Sequence, residues 1–296
     1  GDEEIKDMAA LEITERNLYT SNPLRSPLPD GVLDTRLGIS DRKLECATCK
    51  GRLTDCAGHF GFIRLELPVF HIGYFKHVLS ILQCVCKSCS CLLLSEVERA
   101  EFQQAISGKG CTVNKRNATF KKLVERCKRV RSCPACKALN GPVKKLPNQL
   151  KLCHDRFLKD EKAKAQFLTT FDQAKRENER IEEHLGKAVE NLNCLRVWEI
   201  FKRIKPEDRE LLNIRVPPEK LLMTHIPVPP VCIRPSIEME MSSATNEDDI
   251  TMKLIQIVEV NNSLRGSIEK GLALTGLMES WDFLQMQCAM YINSEA

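Results

Sequence analysis

Cys46-Ala-Thr-Cys49-Lys-Gly-Arg-Leu-Thr-Asp-Cys56-Ala-Gly-His59 is the stretch on which the reading of this chain turns. Two cysteines three apart aim both sulfurs at one metal from a tight turn, and Cys56 and His59 repeat the device. Three thiolates and one imidazole make a closed tetrahedral Zn2+ site. With four protein ligands no coordination position is left for water, so the predicted zinc is structural: it fixes loops that lack a core of their own. Gly51 and Gly58 are expected where such turns need a backbone that side chains resist. A metal-free cysteine cluster and a redox CxxC are the alternatives, the latter without the strand-to-helix setting that activates a thiol.

Outward from the site, Ile63, Leu65 and Leu67 alternate with Arg64 and Glu66. This predicts a half-buried strand ended by Pro68. An apolar helix is predicted over about Gly73–Leu82, flanked by His71 and His77 as packing histidines. A second CxxC, Cys86 and Cys89, follows directly, and its completing pair is Cys133 and Cys136. Only the spacing selects these four, because Cys84, Cys91 and Cys127 stand close by; a dimetal cluster sharing thiolates is a further alternative. Between the pairs, helices are predicted at Ser95–Ile106, with Val97, Phe102 and Ile106 as its packed face, and at about Ala118–Lys128.

The second site sits in a basic block. From Lys109 to Lys159 there are fifteen Lys or Arg residues against Glu125 and Asp155, while the whole chain carries only +4, so the remainder is acidic. Such a block suits phosphate backbones. Candidate nucleic-acid contacts are Lys121, Lys122, Arg126, Lys128, Arg129, Arg131, Lys144 and Lys145, with Arg234 further along. With no recognition-helix signature, sequence-neutral phosphate contact is expected rather than base reading. A solvated face, or one pairing with an acidic protein, is the alternative.

From Leu150 to about Ile204 the pattern reads as helical. Ile181, Leu185, Ala188, Leu192 and Leu195 recur at steps of four and three, the seam of two packed helices or of a short coiled hairpin, and Phe167 and Phe171 form an aromatic pair. Ile226–Ser236 carries prolines that hold it extended, either as a packed stiff connector or as a peptide ligand. Arg234 lies at the base of a polar interval, where bonding to carbonyls of the turn is its other reading. Helices are predicted over Ile250–Asn261 and Ser267–Tyr291.

The fold class expected is mostly α, a zinc-stabilised α+β region with long antiparallel helices, short strands and a Pro-rich connector. Its segments are 1–45, a lead-in; 46–149, holding both zinc sites; 150–215, helical; 216–249, the connector and a polar loop; and 250–296, the C-terminal helices. Fifteen cysteines suggest disulfides, but many stand in CxxC pairs within an ordinary 43% hydrophobic composition, which fits thiolate ligands in a reducing compartment. No apolar run approaches the ~20 residues a membrane span needs. No nucleophile constellation and no Gly-rich phosphate loop after a strand is present, so no catalytic residue is assigned.

The phrase LTDCAGHFGFIRLELPVFHIGY, running from Leu53 to Tyr74, resembles the amino-terminal zinc-binding region of the largest subunits of multisubunit DNA-directed RNA polymerases. The run ELPVFHIGYFKHVLSILQ, the pairs Cys86/Cys89 and Cys133/Cys136, and VPPVCIRPS extend the resemblance over most of Leu18–Asn293. Cys133-Pro-Ala-Cys136 and Asn140-Gly-Pro-Val-Lys-Lys are most similar to the polymerase III branch; a polymerase II or I counterpart, or a free-standing zinc-containing DNA-binding or structural module, is the alternative. The resemblance implies a nuclear clamp segment with two structural Zn2+ that holds template DNA and the RNA–DNA hybrid during synthesis of small RNAs. The interval Ser236–Asp249 would match the family's lid. Implied partners are the rest of the largest subunit, the second-largest and other subunits, and initiation factors. The family's Mg2+-binding NADFDGD loop is absent from this sequence, so the nucleotidyltransferase centre would lie outside this segment.

Overall fold

The computed structural model describes residues 1–21, 26–40, 44–108, 112–147, 149–158, 161–178, 189–238 and 245–295. The chain divides into two compact units, Gly1–Ile72 with Met223–Ala296, and Gly73–Leu222. None of the helices searched among the described residues is long and apolar enough to cross a membrane.

In the first unit, helix α1 (Asp2–Met8) leads into β1 (Ala9–Glu12), which pairs in parallel with β2 (Phe60–Phe70). Strand β6 (Leu222–Val228) lies on the other side of β2. Ile63 and Leu65 are buried while Arg64 and Glu66 are exposed, the alternation expected. Pro68 does not end the strand, because β1 pairs only as far as Phe62. Beyond that point the edge of β2 is met by side chains of the two C-terminal helices, α8 (Asp249–Glu269) and α9 (Leu274–Ile292). Asn261 accepts from the Glu66 N–H at 2.8 Å and donates to the Arg64 carbonyl at 2.9 Å. Trp281 Nε1 donates to the Pro68 carbonyl, and Gln285 makes both bonds to Phe70, at 2.6 and 2.8 Å. The missing donor of Pro68 therefore falls on an edge where no strand asks for it. Buried amides and an indole take the place of strand partners for the groups around it.

Helix α8 runs to Glu269, past the predicted Asn261, with Leu254, Ile257 and Val258 buried as expected and Leu264 extending the face. The Pro-rich return is half extended: β6 ends at Val228, and Pro230 then caps a 3-10 turn over Val231–Ile233. Ile226, Val228 and Val231 are buried while Ile233, at the end of the turn, is exposed, so the segment is packed structure up to that turn. Strands β7 (Ile237–Glu238) and β8 (Thr245–Asn246) close the polar interval as a short antiparallel ladder. Residues 239–244 of the expected lid lie outside the described residues.

In the second unit, α2 (Phe75–Cys84) buries Phe75, Val78, Ile81 and Leu82. Helix α3 (Glu96–Ser107) opens on a Ser95/Glu98 capping box. Its expected face is corrected: Ile106 is buried, but Val97 is 70% exposed. Helix α4 (Val113–Cys127) starts at a Thr112 cap, earlier than predicted, and turns Phe120, Leu123, Val124 and Cys127 inward. Phe120 meets the His77 ring, which is thus a packing histidine.

The continuous helical reading of Leu150–Ile204 is also corrected. Strands β3 (Val143–Lys145), β4 (Leu152–Asp155) and β5 (Val189–Asn191) form an antiparallel sheet. Along β4, Leu152 and His154 are buried and Cys153 and Asp155 are not, a period of two that four residues are too few to advertise. Short helices α5 (Glu161–Thr169) and α6 (Asp172–Glu177) follow, with Phe157, Phe167 and Phe171 in ring contact. The seam residues Ile181, Leu185 and Ala188 lie outside the described residues. Leu192 is fully buried just after β5, and Asn193 caps α7 (Cys194–Lys202), so the seam is cut where the cap demands a non-helical residue.

Candidate metal centres and basic surface

Three of the ligand turns share one backbone design. In each, the first cysteine's carbonyl accepts from the residue four on: Lys50 N to Cys46 O, Ser90 N to Cys86 O, and Lys137 N to Cys133 O, at 2.8 to 3.0 Å. Its N–H donates to the carbonyl five on, those of Gly51, Cys91 and Ala138. Lys50, Ser90 and Lys137 all sit near φ +60°. The left-handed position thus falls on Lys50 and not on Gly51, correcting the expectation; Gly51 is there for space, since an added Cβ would lie 3.3 Å from Cys49 Sγ. Gly58 does need its freedom, at φ +87° with an added Cβ only 2.3 Å from Pro230 Cβ.

The ligand atoms of Cys46, Cys49, Cys56 and His59 all lie within 4.8 Å of one another, as do those of Cys86, Cys89, Cys133 and Cys136. Cys56 Sγ is 3.7 Å from His59 Nε2. In the second set Cys86 Sγ is 3.6 Å from Cys136 Sγ, and Cys89 Sγ is 3.6 Å from Cys133 Sγ. A tetrahedron with Zn–S bonds of ~2.3 Å has edges of about 3.8 Å, so both sets have the size and chemistry for a closed zinc site. Cys84 and Cys127 are fully buried and stand outside the second set, as does Cys91. Burial pushes the Cys56 thiol up to about 11, while the Ala138 N–H draws the Cys136 thiol down to about 7. Metal binding must strip these protons, which couples occupancy to pH.

The first set is held on the 3-10 turn Thr35–Leu37, capped by buried Asp34, which also pairs with Arg36. Ala47 N–H donates to the Thr35 carbonyl, Thr48 Oγ1 to that of Arg36, and His59 N–H to that of Leu37. From the other side the proline segment closes on Gly58, and Cys232 Sγ lies 3.3 Å from the Ala57 carbonyl.

The second set is braced by residues that spacing did not reveal. Lys87, between Cys86 and Cys89, is only 4% exposed. Its Nζ donates to the Leu82 and Val85 carbonyls and to Asn140 Oδ1 at 2.8 Å, joining one CxxC turn to the loop after the other. Burial draws this ammonium down to about 8, against the upward pull of the Cys86 thiolate. Arg196 and Arg203 donate to the carbonyls of Lys87 and Ser88. Buried His154 accepts from the Gly141 N–H at 3.2 Å and faces Glu190 through Nδ1. The His154 hydrogen bond, with Arg196 and Arg156 beside it, holds the Glu190 carboxyl down at about 2. A lysine between two cysteines and an Asn-Gly-Pro after the next pair were the signals available.

The eight basic candidates from Lys121 to Lys145 are all exposed. Arg126 pairs with Glu98 and Lys128 with Glu125, and Lys145 lies 5.6 Å above the Phe75 ring. Lys121, Lys122, Arg129, Arg131 and Lys144 form no ion pair among the described residues. Arg234 is not among these surface residues. It is fully buried, and Nε donates to the Pro229 carbonyl at 3.0 Å, Nη1 to Thr251 Oγ1 at 3.2 Å, and Nη2 to the Val32 carbonyl. Its fork is consumed in stapling the proline turn to α8, which corrects its assignment as a phosphate contact.

Over residues 1–296 the chain matches the family model described as RNA polymerase Rpb1, domain 1. It is 42% identical, over 99% of its length, to the DNA-directed RNA polymerase III subunit RPC1 of Bos taurus, covering 22% of that relative. Identity is again 42% to the corresponding Schizosaccharomyces pombe subunit, over 100% of this chain and 21% of the relative. To DNA-directed RNA polymerase subunit Rpo1N of Thermococcus celer it is 30% over 99% of the chain and 30% of that protein. The chain therefore spans about a fifth of the length of the curated polymerase III relatives it matches.

Proposed function

The chain belongs to the RNA polymerase Rpb1 domain 1 family, and from that premise we propose that it is the amino-terminal clamp region of a largest subunit of RNA polymerase III. The observation that carries the reading is similarity to the RPC1 subunits along essentially the whole chain. In this role two structural zincs, one in each unit, hold the CxxC turns rigid. Nucleotidyl transfer belongs to parts of the nuclear enzyme outside this segment. The remaining subunits and initiation factors assemble around it, and template DNA and the RNA–DNA hybrid pass beside it.

The exposed basic side chains of α4 support a phosphate-contacting face. In the assembled polymerase, replacing Lys121 and Lys122 by glutamine is expected to flatten the plot of log affinity against log salt. The slope should fall by about 0.9 for each phosphate that the variant no longer neutralises, equally for unrelated duplexes. An unchanged slope would assign the face to a protein partner or to solvent. The polar interval Ser236–Asp249 is read as a lid that keeps transcript and template apart. Support comes from the hairpin base, where Glu247 accepts from Tyr19, Thr245 and Ser236. Shortening 240–243 should leave both zincs bound while impairing RNA displacement from the template; normal displacement would sink the lid role.

A further inference from the structure

A small pocket lies just past the C-terminal end of α4, with a volume of about 50 Å³. It is bordered by Lys128, Arg129, Arg131 and Arg156 and by Asn140 and Gly141, and none of the described residues lining it is acidic. A water needs roughly 10–15 Å³ by this measure, so the space suits one tetrahedral oxyanion and little more.

A helix C-terminus ordinarily repels anions, because its last carbonyls point outward. Here three of the last four carbonyls are taken. Val124 O accepts from Lys128 N–H, Arg126 O from Arg129 N–H, and Cys127 O from Val130 N–H, at 3.0 to 3.2 Å. The next ones are taken as well: Asn140 Nδ2 donates to Val130 O at 3.0 Å and Asn140 N–H to Arg131 O at 2.8 Å. The charged residues lining the space are all cationic, set beside Val130, Leu139 and Pro142. Lys128 is shared with Glu125, and Arg156 lies 3.5 Å from Glu190. Arg129 and Arg131 form no ion pair among the described residues. Asn140, which closes the loop, is itself held by Lys87 Nζ, so the pocket is tied to the second CxxC turn.

The geometry points to a subsite for a single backbone phosphate of nucleic acid, gripped jointly by Arg129 and Arg131 with Lys128 and Arg156 at its rim. The assignment rests on the nucleic-acid reading of the basic face and narrows it from a diffuse charged surface to one built subsite. Two guanidinium groups on one phosphate give charge-assisted, directional hydrogen bonds that a scattered lysine face lacks.

The test uses the assembled polymerase and a duplex DNA, with Arg129→Gln, Arg131→Gln and the double variant, checked for unchanged zinc content. Each single change should lower the salt slope by about 0.9, and the double change should lower it by no more, because only one phosphate is released. Drops that add to about 1.8 would mean two separate phosphates and overturn the shared site. An unchanged slope in all three variants, alongside a reduced slope for Lys121→Gln/Lys122→Gln, would overturn the pocket and leave the basic face standing. Unchanged slopes in every variant would remove both. Inorganic phosphate replacing chloride at matched ionic strength is the second probe. It should compete with the duplex in the wild type and lose that effect in the double variant. Phosphate binding without any effect of the arginines on duplex affinity would make the pocket a free-phosphate site and overturn the proposal.

Discussion

Replacing Cys133 by serine in the full-length protein is expected to lower its zinc content by one equivalent and unfold the segment around Cys133 and Cys136. Cys133 is fully buried, and its sulfur lies 3.6 Å from that of Cys89. The turn it heads also carries the backbone bonds that place Lys137 and Ala138. Structural zinc contributes on the order of 10–16 kcal/mol to folding in small zinc modules, as much as the net stability of a whole domain. The loss should therefore spread through the Lys87–Asn140 link to the basic loop. The first cluster belongs to the other unit and should keep its metal. Elemental analysis should read one equivalent fewer than in the wild type, and proteolysis should open the chain around residues 128–147 before the proline return. Cys153→Ser, at a half-buried cysteine outside both sets, is the control expected to change neither. Undiminished zinc with unchanged protease resistance would contradict the ligand assignment.

Gly141→Ala should come next in severity. A Cβ there would lie 1.5 Å from the Asp155 carbonyl oxygen and 2.9 Å from Arg156 Cα. Both are backbone atoms, so no side-chain rotation can relieve the overlap. The loop must move away from β4, losing the Gly141-to-His154 bond and the Asp155-to-Pro142 bond. Overpacking of this kind typically costs ~1–3 kcal/mol, and a clash with main chain belongs at or above the upper end. Hydrogen exchange of the Val143–Lys145 and Leu152–Asp155 amides should quicken by roughly 100-fold or more, as ~3 kcal/mol requires. Gly108→Ala, whose Cβ would meet only Gln104 O at 4.0 Å, should leave the same amides unchanged. Equal protection in the two variants would mean that the β4 approach is not the constraint at Gly141.

The two clusters were legible because metal chemistry would fix residue type and spacing, and the eight side chains so selected converge in two groups of four that could hold a metal. The strand after His59 was legible from Ile63 and Leu65, whose burial alternates cleanly with their neighbours' exposure. Its extension past Pro68 was not, because that depends on Asn261, Trp281 and Gln285 far along the chain supplying bonds to its edge. Arg234 read equally as a phosphate contact or as a donor to carbonyls of the turn, because charge alone carries no sign of burial; three internal acceptors decide for the second. Lys87 escaped for the same reason. The stretch from Leu150 misled because steps of three and four persisted in a segment that β4, β5 and the Asn193 cap interrupt. Where clustered cysteines and buried polar bonds hold a region, they replace part of the apolar periodicity on which helix and strand readings depend.

Affinity purification of the full-length gene product from its own cells tests the central claim most directly, with assays of its companions, zinc content and template-dependent RNA synthesis. The account predicts recovery within a multisubunit complex that contains a second large subunit and makes RNA on a DNA template. It also predicts that Cys46→Ser and Cys133→Ser each lower the zinc content of that complex by one equivalent. A protein that purifies alone, or in a complex that makes no RNA on a DNA template, would contradict it.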